Sequence, residues 1–217
     1  MLSVPALGAP VREVLCLAAH CDDVEIGCGG LLAALRSSRP DVRVTAVMFC
    51  ADPVRRRESN AALARLAGGT RNLDLRFHEF RDGFFPADWS AIKERVVALR
   101  ADCKPDVVLT HWEHDRHQDH RILSELTWNT FRDHLILEYE IPKWDGDLGR
   151  PSAYMPLAAE IAQLKVATLM ECFASQANKP WFTADTFRGL MRLRGLECRA
   201  PSGFAEAFHA RKIVLGI

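Results

Sequence analysis

Two short stretches of this chain concentrate the side chains that bind metals and move protons. The first is Ala19-His20-Cys21-Asp22-Asp23, followed by Gly27-Cys28-Gly29-Gly30, and the second runs from Thr110 through Arg121. A catalytic zinc takes about three protein ligands, drawn from imidazole and carboxylate, and keeps one position open for water; His20 and Asp23 offer one of each. Asp22, between them, is then free to act as a base, because neighbouring carboxylates in different environments take different roles. The plain structural alternative is that Asp22 or Asp23 caps a following helix and His20 is a hydrogen-bonded residue at a strand end. The second stretch holds four of the chain's eight histidines, His111, His114, His117 and His120. Spacing by three on a loop fixes no common face, so it does not choose among them. The two clusters together specify a His/Asp metal centre.

The elements around these clusters must bring them together. Val14 to Ala19 is a short unbroken apolar run, the pattern of a strand buried on both faces, and it stops at His20. Gly27, Gly29 and Gly30 open a helical stretch from Leu31 to Arg36. A strand is expected over 42–50, a helix over 54–66, a third strand at Leu73, Leu75 and Phe77, and a helix over 89–101. A fourth strand at 106–110 runs directly into the histidine-rich segment. Such alternation predicts an α/β, Rossmann-like fold, a mostly parallel sheet with helices on both faces. In these sheets ligands bind beyond the carboxyl ends of the strands, where both clusters lie. Beyond residue 118 the expected order is a helix over 119–132, a strand over 134–141, a loop from Lys143 to Pro156, helices over 157–173 and 183–193, and a terminal strand over 212–215.

Composition narrows the partners. The 217 residues are 48% hydrophobic, enough for one core, so the chain is read as a single domain over 1–217 with 134–217 as its substrate-selecting region. Lys+Arg and Asp+Glu number 28 each, which leaves no electrostatic footprint for nucleic acid. The seven cysteines include no Cys-x-x-Cys pair and fit a reduced cytoplasmic protein. Met1 to Pro10 lacks the pattern of a signal peptide, and no segment approaches the ~18 apolar residues of a membrane span.

Ala-His-Cys-Asp-Asp followed by Gly-x-Gly-Gly, with His-Gln-Asp-His about a hundred residues later, resembles the PIG-L/LmbE-like family of metal-dependent N-deacetylases. The resemblance runs from about Val14 through Arg121. It implies His20, Asp23 and His120 as metal ligands, Asp22 as general base, His117 as transition-state stabiliser and Asp119 as the residue orienting the His117 ring. It implies Zn2+, with Fe2+ or another divalent metal as the substitute, a small-molecule acetylated amino sugar or sugar conjugate as substrate, and a homo-oligomer. Arg55, in an Arg-x-x-Glu helix start, and Asp82, in Arg-Asp-Gly, match family positions expected to touch substrate. Glu138 and Trp144 belong to a polar and aromatic stretch suited to a sugar ring and its hydroxyls. The family commonly has proline where Cys21 and Gln118 stand, a change of loop stiffness rather than of ligands. The competing readings are an amidase for larger acyl or thiol conjugates, and a non-catalytic sugar- or nucleotide-binding protein.

Overall fold

A computed structural model describes residues 11–213. Met1 to Pro10, read above for targeting signals, lies outside them. Seven strands among the described residues form one sheet in the order β3-β2-β1-β4-β5-β7-β6. The strands are β1 (Glu13–His20), β2 (Arg43–Cys50), β3 (Leu73–Phe77), β4 (Val107–His111), β5 (Leu135–Tyr139), β6 (Ala153–Leu157) and β7 (Phe204–His209). The first five are mutually parallel, whereas β7 runs antiparallel to both β5 and β6. The helices are α1 (Asp23–Ser38), α2 (Pro53–Leu66), α3 (Trp89–Asp102), α4 (Gln118–Thr130), α5 (Ala159–Cys172) and α6 (Ala184–Glu197).

The apolar run of β1 serves two cores at once. Val14, Cys16 and Ala18 pack on the side of α1, α2, α5 and α6, while Leu15, Leu17 and Ala19 pack on the side of α3 and α4. Alternate side chains of a strand point to opposite faces, so a strand sandwiched between two helical layers has no polar face to show. The chain leaves β1 toward β2 and β3 on one side and returns to β4 and β5 on the other. The point of reversal lies between β1 and β4.

Three sequence expectations are corrected. Helix α1 begins at Asp23 rather than after the glycines, so Gly27, Gly29 and Gly30 lie inside it. They answer to close packing: a Cβ on Gly27 would stand 2.2 Å from the Tyr139 ring, and one on Gly30 2.7 Å from Leu157. The helix is broken at Cys28 (φ −142°, ψ 15°), and the N–H groups of Gly30 and Leu31 donate to the buried Glu206 carboxylate, each at 2.7 Å. That carboxylate caps the second half of α1 and is neutralised by the buried Lys165 ammonium at 2.6 Å. Part of the expected loop from Lys143 to Pro156 is the edge strand β6, where Pro156 is tolerated. The last strand is β7 rather than 212–215: Lys212 and Ile213 are not in a strand, and residues 214 and 215 lie outside the described residues.

Candidate metal centre

Because β1 to β5 are parallel through the sheet, the segments that follow them gather at one edge. His20 is the last residue of β1 and His111 the last of β4, the two strands that flank the reversal, where open α/β sheets place their ligands. Asp22 and Asp23 follow β1, Arg55 sits in the first turns of α2, and Asp82 follows β3. His117, Asp119 and His120 enter α4 after β4, and Lys143 and Trp144 follow β5.

The structure brings the three expected ligands together. His20 Nδ1 lies 3.2 Å from His120 Nε2 and 3.4 Å from Asp23 Oδ2, and Asp23 Oδ1 lies 3.6 Å from His120 Nε2. Donors held at ~2.0–2.2 Å around a tetrahedral zinc are roughly 3.3–3.6 Å apart, and each of these pairs comes close to that spacing, with Asp23 meeting His20 through Oδ2 and His120 through Oδ1. All three residues are buried. Burial alone pushes the Asp23 carboxyl up, but His120, His111 and His20 outweigh it and hold it well below the usual range. Burial lowers His20, yet Asp119, Asp23 and Asp82 more than reverse this and raise it well above an ordinary histidine. The carboxylates that draw positive charge to the His20 ring in this way also favour a cation beside it. Burial, followed by His111, lowers His120 to about 3, which keeps its ring neutral, the ligating form.

The hydrogen bonds separate the four histidines. His111 is fully buried and stacks on His120 with ring centroids 3.9 Å apart, and its Nε2 accepts the Ala19 N–H at 2.9 Å, so that lone pair is engaged. His114 points to solvent, its side chain 72% exposed. The His120 Nδ1 pairs with Asp115 Oδ2 at 2.9 Å, leaving Nε2 directed at His20 and Asp23. Three overlapping groups of donors lie close enough to share an ion: Asp23 with His111 and His120, His20 with His117 and His120, and His20 with Asp82, His117 and Asp119.

Asp22 adopts φ 120°, a left-handed conformation costly for a residue with a Cβ, and its side chain makes no cap hydrogen bond to α1. Its carboxylate pairs with Arg55 Nη2 at 2.7 Å. Burial pushes Asp22 up to about 6, against the pull of Arg55 and with a further push from Asp23. Arg55 also donates to the Cys21 carbonyl, so it braces the turn that carries both aspartates. The His117 ring stands edge-on to His20 with centroids 4.9 Å apart, and burial together with His20 lowers its pKa.

Asp119 takes a different position from the one expected. Its carboxylate accepts from the N–H groups of Gly83 at 2.7 Å and Phe85 at 3.1 Å and contacts His20 Nε2 at 3.1 Å. His117 is instead reached by the Asp119 backbone N–H, which donates to Nδ1 at 3.3 Å. Asp119 thereby ties down the turn that places Asp82 Oδ1 3.1 Å from His20 Nε2.

His20, Asp22, Asp23, Arg55, His117 and His120 line a cavity of about 150 Å³, to which Lys143, Trp144, Lys179 and Trp181 also contribute. Trp144 stands at the rim, 68% exposed. Glu138 is not brought to this cavity: it is fully buried and accepts from Trp128 Nε1, Ser124 Oγ and the Glu113 N–H. A larger cavity of about 670 Å³ along α4 contains none of the expected ligands. Sequence reasoning did not single out Asp115, Lys143, Lys179 or Trp181. Asp115 lies inside the histidine cluster and had a signal in its spacing from His120; the other three are fixed only by the folded path of the later loops.

Comparison with known proteins places these features. The PIG-L family, described as GlcNAc-PI de-N-acetylase, matches residues 15–131, more than half the chain. The uncharacterized deacetylase YaiS of Escherichia coli is 25% identical over 168 residues, 73% of this chain and 89% of that protein. Among solved structures, the N,N'-diacetylchitobiose deacetylase of Pyrococcus horikoshii superposes with a TM-score of 0.71 at 19% identity, covering 92% of this chain and 84% of that one. GalB, the 4-carboxy-2-hydroxymuconate hydratase of Pseudomonas putida, superposes with a TM-score of 0.72 at 16% identity, covering 95% and 98%. The same fold thus carries hydratase as well as deacetylase chemistry, so the fold alone does not choose the reaction.

Proposed function

Since the chain belongs to the GlcNAc-PI de-N-acetylase (PIG-L) family, we propose that it is a zinc-dependent N-deacetylase that hydrolyses the acetamide of an N-acetylated amino sugar or its conjugate to the free amine and acetate. The observation that carries this reading is the triangle of His20 Nδ1, the Asp23 carboxylate and His120 Nε2, with Asp22, a carboxylate outside that donor set, one residue away. Zinc in that triangle would bring the pKa of water toward ~7 and polarise the acetyl carbonyl.

The chain's own residues supply the remainder. Asp22, titrating near 6, is largely ionised at neutral pH, so it takes the proton of the attacking water and delivers it to the leaving nitrogen. Arg55 holds that carboxylate in place. His117 accepts the Asp119 N–H at Nδ1, so its neutral ring carries its proton on Nε2, which makes it a donor for the tetrahedral oxyanion. The cavity of about 150 Å³ is small against the ~300–1,000 Å³ of pockets that enclose a whole ligand, which favours an acetyl group over bulkier acyl chains and leaves the sugar at the rim near Trp144 and Trp181. Seven free cysteines suit a reduced, cytoplasmic setting, and no helix among the described residues is long and apolar enough to cross a membrane.

The test is acetate release from a panel of N-acetylglucosamine, its nucleotide and lipid conjugates and acylated thiol conjugates, with metal content measured alongside. Asp22→Asn is expected to keep its metal and lose roughly 10²–10⁴-fold in turnover. Turnover near wild type in that variant, or hydration of an unsaturated acid with no acetate released from any substrate, would show the reading to be wrong.

A further inference from the structure

The loop after β5 lines the same cavity as the expected ligands through Lys143, Trp144 and Asp145. Lys143 places its ammonium 3.0 Å from Asp115 Oδ1 and 2.6 Å from Asp147 Oδ2, and the three side chains are only 6%, 4% and 6% exposed. Asp147 Oδ2 also accepts the Arg116 N–H at 2.7 Å, so the loop is tied to the 115–117 segment at two points. Asp115 divides its oxygens: Oδ1 accepts the His117 N–H at 2.8 Å and faces Lys143, and Oδ2 receives His120 Nδ1 at 2.9 Å. Lys143 is the only lysine or arginine within ion-pair distance of the Asp115 carboxylate among the described residues. Trp144, one residue along, borders the cavity.

We propose that Lys143 is a positioning residue for His120, acting through Asp115, so that the loop bordering the substrate cavity also sets the affinity of the metal centre. The inference rests on the metal reading above. A ligating histidine is oriented by the acceptor of its other nitrogen, and here that acceptor is itself held by a buried ammonium shared with Asp147. Without the ammonium, Asp115 and Asp147 are two buried carboxylates with no cation between them. Their repulsion turns the Asp115 carboxylate away and so displaces the acceptor that keeps His120 Nε2 directed at His20 and Asp23.

The experiment measures Zn2+ affinity by competition with a chromophoric chelator, and the absorption spectrum of the Co2+-loaded protein, in wild type, Lys143→Met, Asp147→Asn, Trp144→Ala and His120→Ala. Lys143→Met is expected to bind Zn2+ about tenfold more weakly, the lower end of the range for residues that orient ligands, and to shift the Co2+ spectrum. Asp147→Asn should lose affinity in the same direction but less. Trp144→Ala makes no hydrogen bond to lose at Asp115 and should keep wild-type Zn2+ affinity. Unchanged affinity and spectrum in Lys143→Met overturn the proposal, as does an equal loss in Trp144→Ala, which would indicate only a loosened loop. If Lys143→Met does not unfold cooperatively, Asp147→Asn decides by the same criteria. Wild type binding no more tightly than His120→Ala would remove the metal centre itself, a result distinct from the loss of the positioning role alone.

Discussion

Arg55→Met separates two roles for the same residue. Sequence matching casts Arg55 as a substrate contact, whereas the structure pairs its Nη2 with Asp22 Oδ1 at 2.7 Å, with side chains 14% and 5% exposed. An adjacent arginine lowers a carboxylate pKa by roughly 1–3. Asp22 stands near 6 with Arg55 in place, so its loss moves the base to roughly 7–9. Asp22 works as its carboxylate, so activity is present above the pKa and is lost as pH falls through it. At pH 7 the ionised fraction drops from about nine-tenths to between about one-half and one-hundredth. The expected result is a kcat/KM at pH 7 reduced roughly 2- to 90-fold and restored as pH is raised toward 9–10. The assay is the pH profile of kcat/KM for the best acetate-releasing substrate, with metal content matched between wild type and variant. A loss of the same size at every pH, carried by KM, would refute the pairing argument and return Arg55 to the substrate.

Three further outcomes concern stability. Burial pushes Glu25 up to about 8 despite the Ser59 hydroxyl at 2.6 Å, so the native state keeps a proton that the unfolded chain releases near 4.5. The stability this confers is full below about 4.5 and is lost as pH rises to 8. Glu25→Gln should therefore gain on wild type by roughly 3–4 kcal/mol between pH 5 and 8.5 in urea unfolding of metal-free protein, and parallel curves would contradict this. Glu206→Ala leaves the Lys165 ammonium, 3% exposed, without its counter-ion and two N–H groups without an acceptor, and should cost roughly 3–5 kcal/mol by the same measurement. Gly27→Ala drives a methyl against a Tyr139 ring that is pinned by its hydroxyl donating to the Leu17 carbonyl at 2.8 Å. A cost of about 1–3 kcal/mol is expected, and a neutral thermal melt would mean that the ring is free to move.

The parallel half of the sheet was readable because burial on both faces imposes a composition. A strand such as β1, with Val14 facing one core and Leu15 the other, must be apolar throughout and must stop where a loop begins. The antiparallel edge offered no such signal. In β7 the run Phe-Ala-Glu-Ala-Phe-His interrupts its apolar pattern with Glu206, whose partners, Lys165 and the broken turn of α1, are brought to it only by the fold. The glycines of α1 misled for a related reason. A glycine that makes room for a ring from a distant strand looks locally like one that makes a turn.

At the site, residue type and strand-end placement pointed to a His/Asp centre, while the selection of His120 rested on the family resemblance because spacing by three does not choose among the histidines. Asp119 shows the limit of reading contacts from spacing: two residues from His117, it reaches that ring through its backbone and spends its carboxylate on Gly83, Phe85 and His20. Asp22 carries the strongest structural argument because the ordinary reasons for its presence fail. It does not cap α1, its φ of 120° costs on the order of 1–3 kcal/mol, and burial penalises its charge. Glycine would take that conformation without strain. A carboxylate kept there against backbone strain and desolvation, with Arg55 as its ion-pair partner and the cavity in front of it, is what the proposed role of Asp22 as base requires.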